Sequence, residues 1–339
     1  MEDTINNSSQ SVQGWDIVLG NPPYGADIRE YKNLYKSIYK HTNSGALDSY
    51  KFFVELGYKL LKDRGVLSFI TPISITSSKS NANLHRLLLS QCEQIKVSSY
   101  GNSPARIFLN ADQRVSIITF TKTFTPCKRL LTSKVNLRDK NTSIQSIIDN
   151  LCFIDSLAFI KDGAFAKMGL KIEKDILSKL YAHKTTLKDF MQGKENVYYR
   201  DTGGRYYDLY TSYSTTSSST QKYFPTSDAK MLVGIMSSSL FWWYRNLYSE
   251  GRHSYIYEFE SFPIPLLNNQ SIQALRDLGW QYERDLEKHA EYRNGVKTYI
   301  IRKSKRLIDE IDAILCPLYG LNEEERDFII HYNIAFRTD

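Results

Sequence analysis

The chain of 339 residues is long enough for two domains and a sizeable buried core, and Lys and Arg outnumber Asp and Glu by 44 to 37, a net charge of +7 that permits a polyanionic partner without requiring one. Four scattered cysteines, Cys92, Cys127, Cys152 and Cys316, form no CxxC pair and the six histidines show no paired spacing, which argues against a metal site and a disulfide scaffold and points to a reducing, cytoplasmic compartment. The polar opening MEDTINNSSQSVQG lacks the basic and apolar regions of a signal peptide, and the longest apolar stretch, around Leu240, is too short to span a bilayer.

In chain order, residues 15–20 (WDIVLG) read as a short buried strand that ends at a turn-forming NPPYG. LDSYKFFVELGYKLLKDRG reads as a helix with Phe53, Leu56 and Leu60 on one face, Lys62 in its last turn and Gly65 as its stop. VLSFITP follows as a β-rich run, so strand, helix and strand suggest a crossover unit in a mostly parallel sheet. NANLHRLLLSQ predicts a further helix and VSIITFTK, from Val115 to Lys122, a further strand. The mixed, basic stretch 128–155 reads as a linker. The Tyr-, Ser- and Gly-rich run after it is loop and short-strand material, including the low-complexity YSTTSSSTQ. Beyond Pro265 the pattern is helical, broken near Gly295, and Asn322 with Glu325 forms a capping-box start for a last helix. The division that results is a first part at 1–127, a linker at 128–155, a loop- and strand-rich part at 156–265 and a helical region at 266–339.

Asn21-Pro22-Pro23-Tyr24 has three readings. It is an ordinary turn, or an NPxY peptide signal, which would want an exposed, disordered flank where WDIVLG reads as buried, or a chemical device. Ligands of α/β sheets sit at the carboxyl ends of strands. An asparagine there can accept a hydrogen bond from an exocyclic amine, and a Pro-Pro carbonyl can accept a second, drawing the nitrogen lone pair out of conjugation and making the amine nucleophilic. Tyr24 supplies a ring on which an extruded base can stack, and the prolines stiffen the loop.

DIVLGNPPYG resembles motif IV of the amino-group DNA methyltransferases, specifically the N6-adenine enzymes of type II and fused restriction-modification systems. LDSYKFFVELGYKLLKDRGVLSFITP is similar to the family's next helix-and-strand unit, with Asp63-Arg64-Gly65 where the family has two glycines. IFLNADQRVSIITFTK is similar to a later motif, while FWWYRNLYSEGRHSYIYEFESFPIP and IDAILCPLYGLNEEERDFI resemble the end of the recognition domain and the C-terminal helices. The resemblance implies an α/β fold: a partial Rossmann-like methyltransferase sheet, then a mixed α+β target-recognition domain and C-terminal helices. It also implies that Asn21 and the Pro22 carbonyl orient an adenine amine, that Tyr24 and Phe108 stack on the two faces of the flipped base, and that Asp48 and Tyr50 line the adenosine of S-adenosyl-L-methionine. Read from the residues alone, Phe108 is as well a core ring, and Asp48 and Tyr50 are capping and packing residues. Cytosine N4 poses the same geometric problem and stays a rival target.

The family's Gly-rich cofactor loop and the acidic residue after it normally precede NPPY, where this chain has only a short polar stretch, and neither DTGGRYYD nor KDGAFAKMGLKIE follows a full apolar strand. The expectation is a split enzyme, whose cofactor half comes from a second polypeptide that also covers the sheet edge left open. A fragment, or a remnant or specificity subunit that binds DNA without methylating it, is the alternative. Double-stranded DNA is the expected partner. Tyr198, Tyr199, Arg200, Arg205, Tyr206, Tyr207 and Tyr210 alternate around Gly203-Gly204, and SEGRHSY adds Arg252 and His253, as candidate contacts to phosphates and base edges. The plain alternative is a Tyr-rich hairpin with solvated arginines.

Overall fold

The computed structural model describes residues 14–108, 112–202, 208–215, 221–293 and 296–337. The chain divides into two compact units after Leu170. Among the described residues no helix is long and apolar enough to cross a membrane.

The first unit contains, in order, β1 (Trp15–Gly20), α1 (Lys32–Ile38), α2 (Ser49–Leu60), β2 (Leu61–Pro72), α3 (Ala82–Gln91), β3 (Gln94–Tyr100), β4 (Val115–Thr121), β5 (Arg129–Asn136), α4 (Ile144–Asp149) and β6 (Ile154–Asp155). The strands form one sheet in the order β1-β2-β4-β3-β5-β6. β1 runs parallel to β2 and β3 to β5, while the β2/β4, β3/β4 and β5/β6 pairs are antiparallel. The α/β class and the β1-α2-β2 crossover agree with the sequence reading, but the sheet is mixed rather than mostly parallel, because β4 returns between β2 and β3. The expected linker at 128–155 is a second correction: it supplies β5 and β6 of this sheet.

Alternation along the strands assigns the two faces. Leu67, Phe69, Ile95, Val97, Ile118 and Phe120 join Val54 and Tyr58 of α2 and Leu84, Leu87 and Leu88 of α3 in the main core. Tyr100 and Val115 point the other way, against Ile147 of α4. α2 buries Tyr50, Val54, Gly57 and Tyr58, whereas Phe53 and Leu60 are exposed, so the apolar stripe expected at 53, 56 and 60 lies largely on the wrong side. Gly57 explains the choice: a Cβ there would lie 2.4 Å from Leu67 Cδ1, so only this face lets the helix approach the sheet closely.

β1 is also placed differently from expectation. It is a strand, but Trp15, Ile17 and Leu19 are 65%, 62% and 71% exposed, and only Val18 packs on the main core. β1 is the first strand of the sheet and bonds to β2 alone, so its outer edge carries no ladder among the described residues.

The second unit contains α5 (Lys171–Leu180), β7 (Glu195–Arg200), β8 (Tyr210–Thr211), β9 (Gln221–Thr226), α6 (Ala229–Met236), α7 (Ser239–Tyr248), α8 (Ile256–Phe259), α9 (Asn269–Lys288), β10 (Ala290–Arg293), β11 (Val296–Tyr299), α10 (Lys305–Leu318), α11 (Glu323–His331) and α12 (Ile334–Arg337). β8, β7 and β9 make an antiparallel sheet, and the β10-β11 hairpin is the break expected near Gly295. Asn322 and Glu325 form the predicted capping box, each side chain bonded to the other's backbone N–H. The middle of YSTTSSSTQ, residues 216–220, lies outside the described residues.

α6 and α9 touch backbone to backbone at two glycines. A Cβ on Gly279 would sit 2.1 Å from the Lys230 carbonyl oxygen, and one on Gly234 2.6 Å from that of Leu275. Gly279→Ala is therefore expected to destabilise by about 2 kcal/mol through overpacking, although alanine is the better helix former. Urea unfolding of the intact chain measures it; an unchanged or raised midpoint would contradict the close approach.

Candidate functional site

The NPPYG loop leaves the carboxyl end of β1. Asn21 is exposed, Pro22 is buried, Pro23 is exposed and Tyr24 is half-buried against the main core. The flank WDIVLG reads as buried, which would place Asn21 at the end of a covered strand. Asn21 is instead open to solvent, following a strand at the edge of the sheet. Gly20 admits the ring of Phe69 beside the strand end, where a Cβ would be 3.1 Å from Phe69 Cε1. Gly25 closes the loop at φ +69°, a conformation that suits glycine.

The loop is held from α2. Ser49 Oγ donates to the Pro23 carbonyl at 2.6 Å, and Asp48 Oδ1 accepts from the Gly25 N–H at 2.9 Å. Asp48 makes no side-chain cap on its own helix, so the capping role weighed for it is not the one seen. Tyr50 is 2% exposed in the main core, and its hydroxyl accepts from Asn81 Nδ2 at 3.1 Å. Most of the surface of Tyr50 is thus spent on packing. Lys51, 1% exposed, donates to the carbonyls of Ser44, Ala46 and Ser80, and burial lowers its pKa to about 8 against the favourable pull of Asp48. Glu55 accepts from the His41 N–H and the Thr42 hydroxyl. These contacts tie the stretch leading into α2 to the helix itself.

Phe108 is half-buried against the cluster of Tyr100, Val115 and Ile147, and Tyr24 against the main core on the opposite face. The two rings expected to enclose one base thus belong to separate clusters, and the residues after Phe108, 109–111, lie outside the described ones.

In the second unit the two stretches singled out for DNA contact do meet. Thr202 bridges to His253, and the Ser254 N–H donates to the Asp201 carbonyl at 2.9 Å, so the end of β7 with Arg200 lies beside the loop with Arg252 and His253. Arg252 is exposed, and Arg200 and His253 are half-buried. Arg205, Tyr206 and Tyr207 lie outside the described residues. Tyr199 and Tyr210 are core residues, packed on Phe224, Phe241 and Phe259, because alternation along β7 turns Tyr199 inward with Val197 while Tyr198 and Arg200 face the other way.

Sequence reasoning missed what supports this loop. Arg245, 3% exposed on α7, pairs with Asp208 and donates from Nη2 to the His253 carbonyl at 3.0 Å, with Glu258 3.6 Å from its Nε. An arginine inside the apolar run FWWYRNLY was the available signal, since such a charge stays buried only with partners. Tyr255 stacks on Tyr257 with centroids 5.2 Å apart and planes at 6°, and His253 lies 5.8 Å from Tyr255. On α9, Asp285 accepts from Ser304, and Glu287 from Tyr213, Tyr299 and Lys297, so both carboxylates serve the packing of the second unit.

Residues 2–108 match the family model described as Eco57I restriction-modification methylase. The type II restriction enzyme and methyltransferase RM.Eco57I of Escherichia coli is 27% identical over 129 residues, covering 35% of this chain and 12% of that protein. The type II methyltransferase M.TthHB8I of Thermus thermophilus is 36% identical over 70 residues, covering 18% of this chain and 16% of that protein. These relatives are therefore matched over less than a fifth of their length. Among solved structures, the type IIL restriction-modification enzyme MmeI in complex with DNA superposes with a TM-score of 0.56 at 12% identity, over 95% of this chain and 56% of that one, a likeness of fold.

Proposed function

We propose that this chain, whose residues 2–108 carry a restriction-modification methylase domain, is the target-base and DNA-recognition part of a site-specific adenine-N6 DNA methyltransferase. The observation that carries the reading is the exposed Asn21 at the carboxyl end of β1, followed by a stiff Pro-Pro pair. A carboxamide oxygen and a backbone carbonyl that both accept from one amine localise its lone pair and aim it, and such fixed dipoles act most strongly where water is excluded. Tyr24 is the stacking surface proposed for the everted base, and Phe108 the second ring once DNA is bound.

The methyl donor proposed is S-adenosyl-L-methionine, which supplies a methyl group already activated by its sulfonium. Its fit to this chain is incomplete. Among the described residues no strand leads into a helix through closely spaced glycines, and the only side chain at hand from the expected pair is Asp48, already bonded to Gly25. The open edge of β1, where Trp15, Ile17 and Leu19 are exposed, is the surface proposed for a Gly-rich half, and a second polypeptide is the carrier proposed for it. The exposed Arg252, beside Arg200 and His253, is the proposed grip on DNA.

Co-expression with the neighbouring-encoded protein, purification of the pair and mass-spectrometric detection of N6-methyladenine in treated DNA test the assignment. N4-methylcytosine as the product would transfer the reading to the rival base; binding without methylation would leave a DNA-binding specificity subunit. Calorimetric titration of the isolated chain with S-adenosylmethionine should give no heat of binding, and tight binding would refute the split. Arg252→Ala is expected to weaken DNA binding by roughly tenfold and to lower the salt dependence of binding, if the guanidinium meets a phosphate. Fluorescence anisotropy at two salt concentrations reads both, and unchanged affinity would remove this loop from the interface.

A further inference from the structure

We propose that Ser49 and Asp48 are positioning residues for the reaction just proposed, on which this inference rests: they hold the NPPYG loop so that the Pro22 carbonyl, and not that of Pro23, is the second acceptor for the substrate amine. Proline has no N–H, so between Asn21 and Gly25 the loop offers few groups by which the protein can hold it. Two of them are used, one on each side of Tyr24. The Pro23 carbonyl takes the Ser49 hydroxyl at 2.6 Å, and the Gly25 N–H goes to Asp48 Oδ1 at 2.9 Å.

Ser49 is 4% exposed, and its single hydroxyl proton has one short acceptor: Asp48 Oδ1 stands 3.4 Å away, a much weaker alternative. The Pro23 oxygen already accepts from Ser49, whereas the Pro22 oxygen takes no hydrogen bond from the described residues, so Pro22 is the carbonyl of the pair whose acceptor capacity the fold leaves unused. The anchor itself cannot drift. Tyr50, Lys51 and Glu55, the next residues along α2, are buried and bonded to Asn81, to three backbone carbonyls and to the Thr42 hydroxyl. A small movement of Ser49 would be transmitted to the loop, and reacting groups tolerate little misplacement.

The test uses the purified pair and unmethylated bacteriophage DNA. Ser49→Ala is expected to lower the single-turnover methylation rate about tenfold, with DNA affinity within about twofold of the parent, and Ser49→Thr to restore most of the rate, because threonine keeps the hydroxyl. Hydrogen exchange at the Gly25 amide should accelerate in Asp48→Ala, a readout independent of activity. A rate loss that only follows a smaller folded fraction, or full activity in Ser49→Ala, overturns the clamp and leaves the methyl-transfer reading intact. If the parent pair and every variant leave the DNA unmethylated, the reading and the clamp fall together.

Discussion

Asn21→Ala is expected to lower methylation by the assembled enzyme roughly 10²- to 10³-fold, the loss typical when one preorganised dipole aimed at developing charge is removed. The unfolding midpoint and DNA affinity should stay within error. Asn21 is exposed and lies beyond the last paired position of β1, Gly20 opposite Phe69, so its side chain supports no packing that alanine would forfeit. Its proposed partner is present only with bound DNA, and the bond matters most as the amine gains positive charge on attacking the methyl carbon. A group that acts chiefly in the transition state shows itself in the rate constant at saturating DNA and not in the dissociation constant. Single-turnover incorporation of labelled methyl groups, beside anisotropy with the same DNA, separates the two. Activity within about threefold of the parent would dismiss the carboxamide from the chemistry and, with it, the reason for reading this loop as catalytic.

The loop was legible because its information is local: a strand end, an amide and two prolines in succession need no knowledge of the rest of the fold. The capping box at Asn322 and Glu325 was readable for the same reason. What could not be read depends on partners far along the chain. Trp15, Ile17 and Leu19 look the same whether a neighbour covers them or not, and only the sheet order, with β1 at its end, leaves them exposed. α2 is apolar on several sides, so its buried face was decided by Gly57 meeting Leu67 across the sheet rather than by the stripe at 53, 56 and 60. β3 and β5 escaped because QIKVSSY and RLLTSKVN mix polar with apolar residues. Their inward serines and threonines are satisfied by one another and by backbone, as Ser99 is by Ser116. Asp48 reads as a helix cap or cofactor lining and Ser49 carries no signal of its own, since nothing within a helical turn of them reveals bonds to Gly25 and Pro23, residues more than twenty positions earlier.

Between pH 7 and pH 5 the first unit is expected to lose about 2 kcal/mol of stability through His85 alone. His85, on α3, is 1% exposed, with Nε2 2.5 Å from the Ile75 carbonyl oxygen and its ring 4.4 Å from that of Phe165. Burial pushes its pKa down to about 4; the carbonyls of Ile75 and Gly163 favour the proton but do not outweigh that loss of solvent, and the Lys51 charge adds to the depression. The unfolded chain, with an ordinary imidazole near 6.5, binds the proton first as pH falls. Stability from this group is therefore complete above 6.5 and is lost on the way down to 4, a total on the order of 3 kcal/mol. In the second unit Asp312 works the other way. Burial raises it to about 6 although its carboxylate accepts from the Ser239 and Leu240 N–H groups at the start of α7, so its contribution is greatest below 3.8 and fades as pH rises through 6. A measurement on the whole chain would blend the two opposed trends. Hydrogen exchange resolved by peptide, on the parent and on His85→Gln at both pH values, isolates the histidine by difference. The variant starts less stable, having lost the ring contact with Phe165, but its first unit should be nearly indifferent to pH over that interval. Equal pH slopes in the two proteins would mean that His85 takes up its proton without leaving the core.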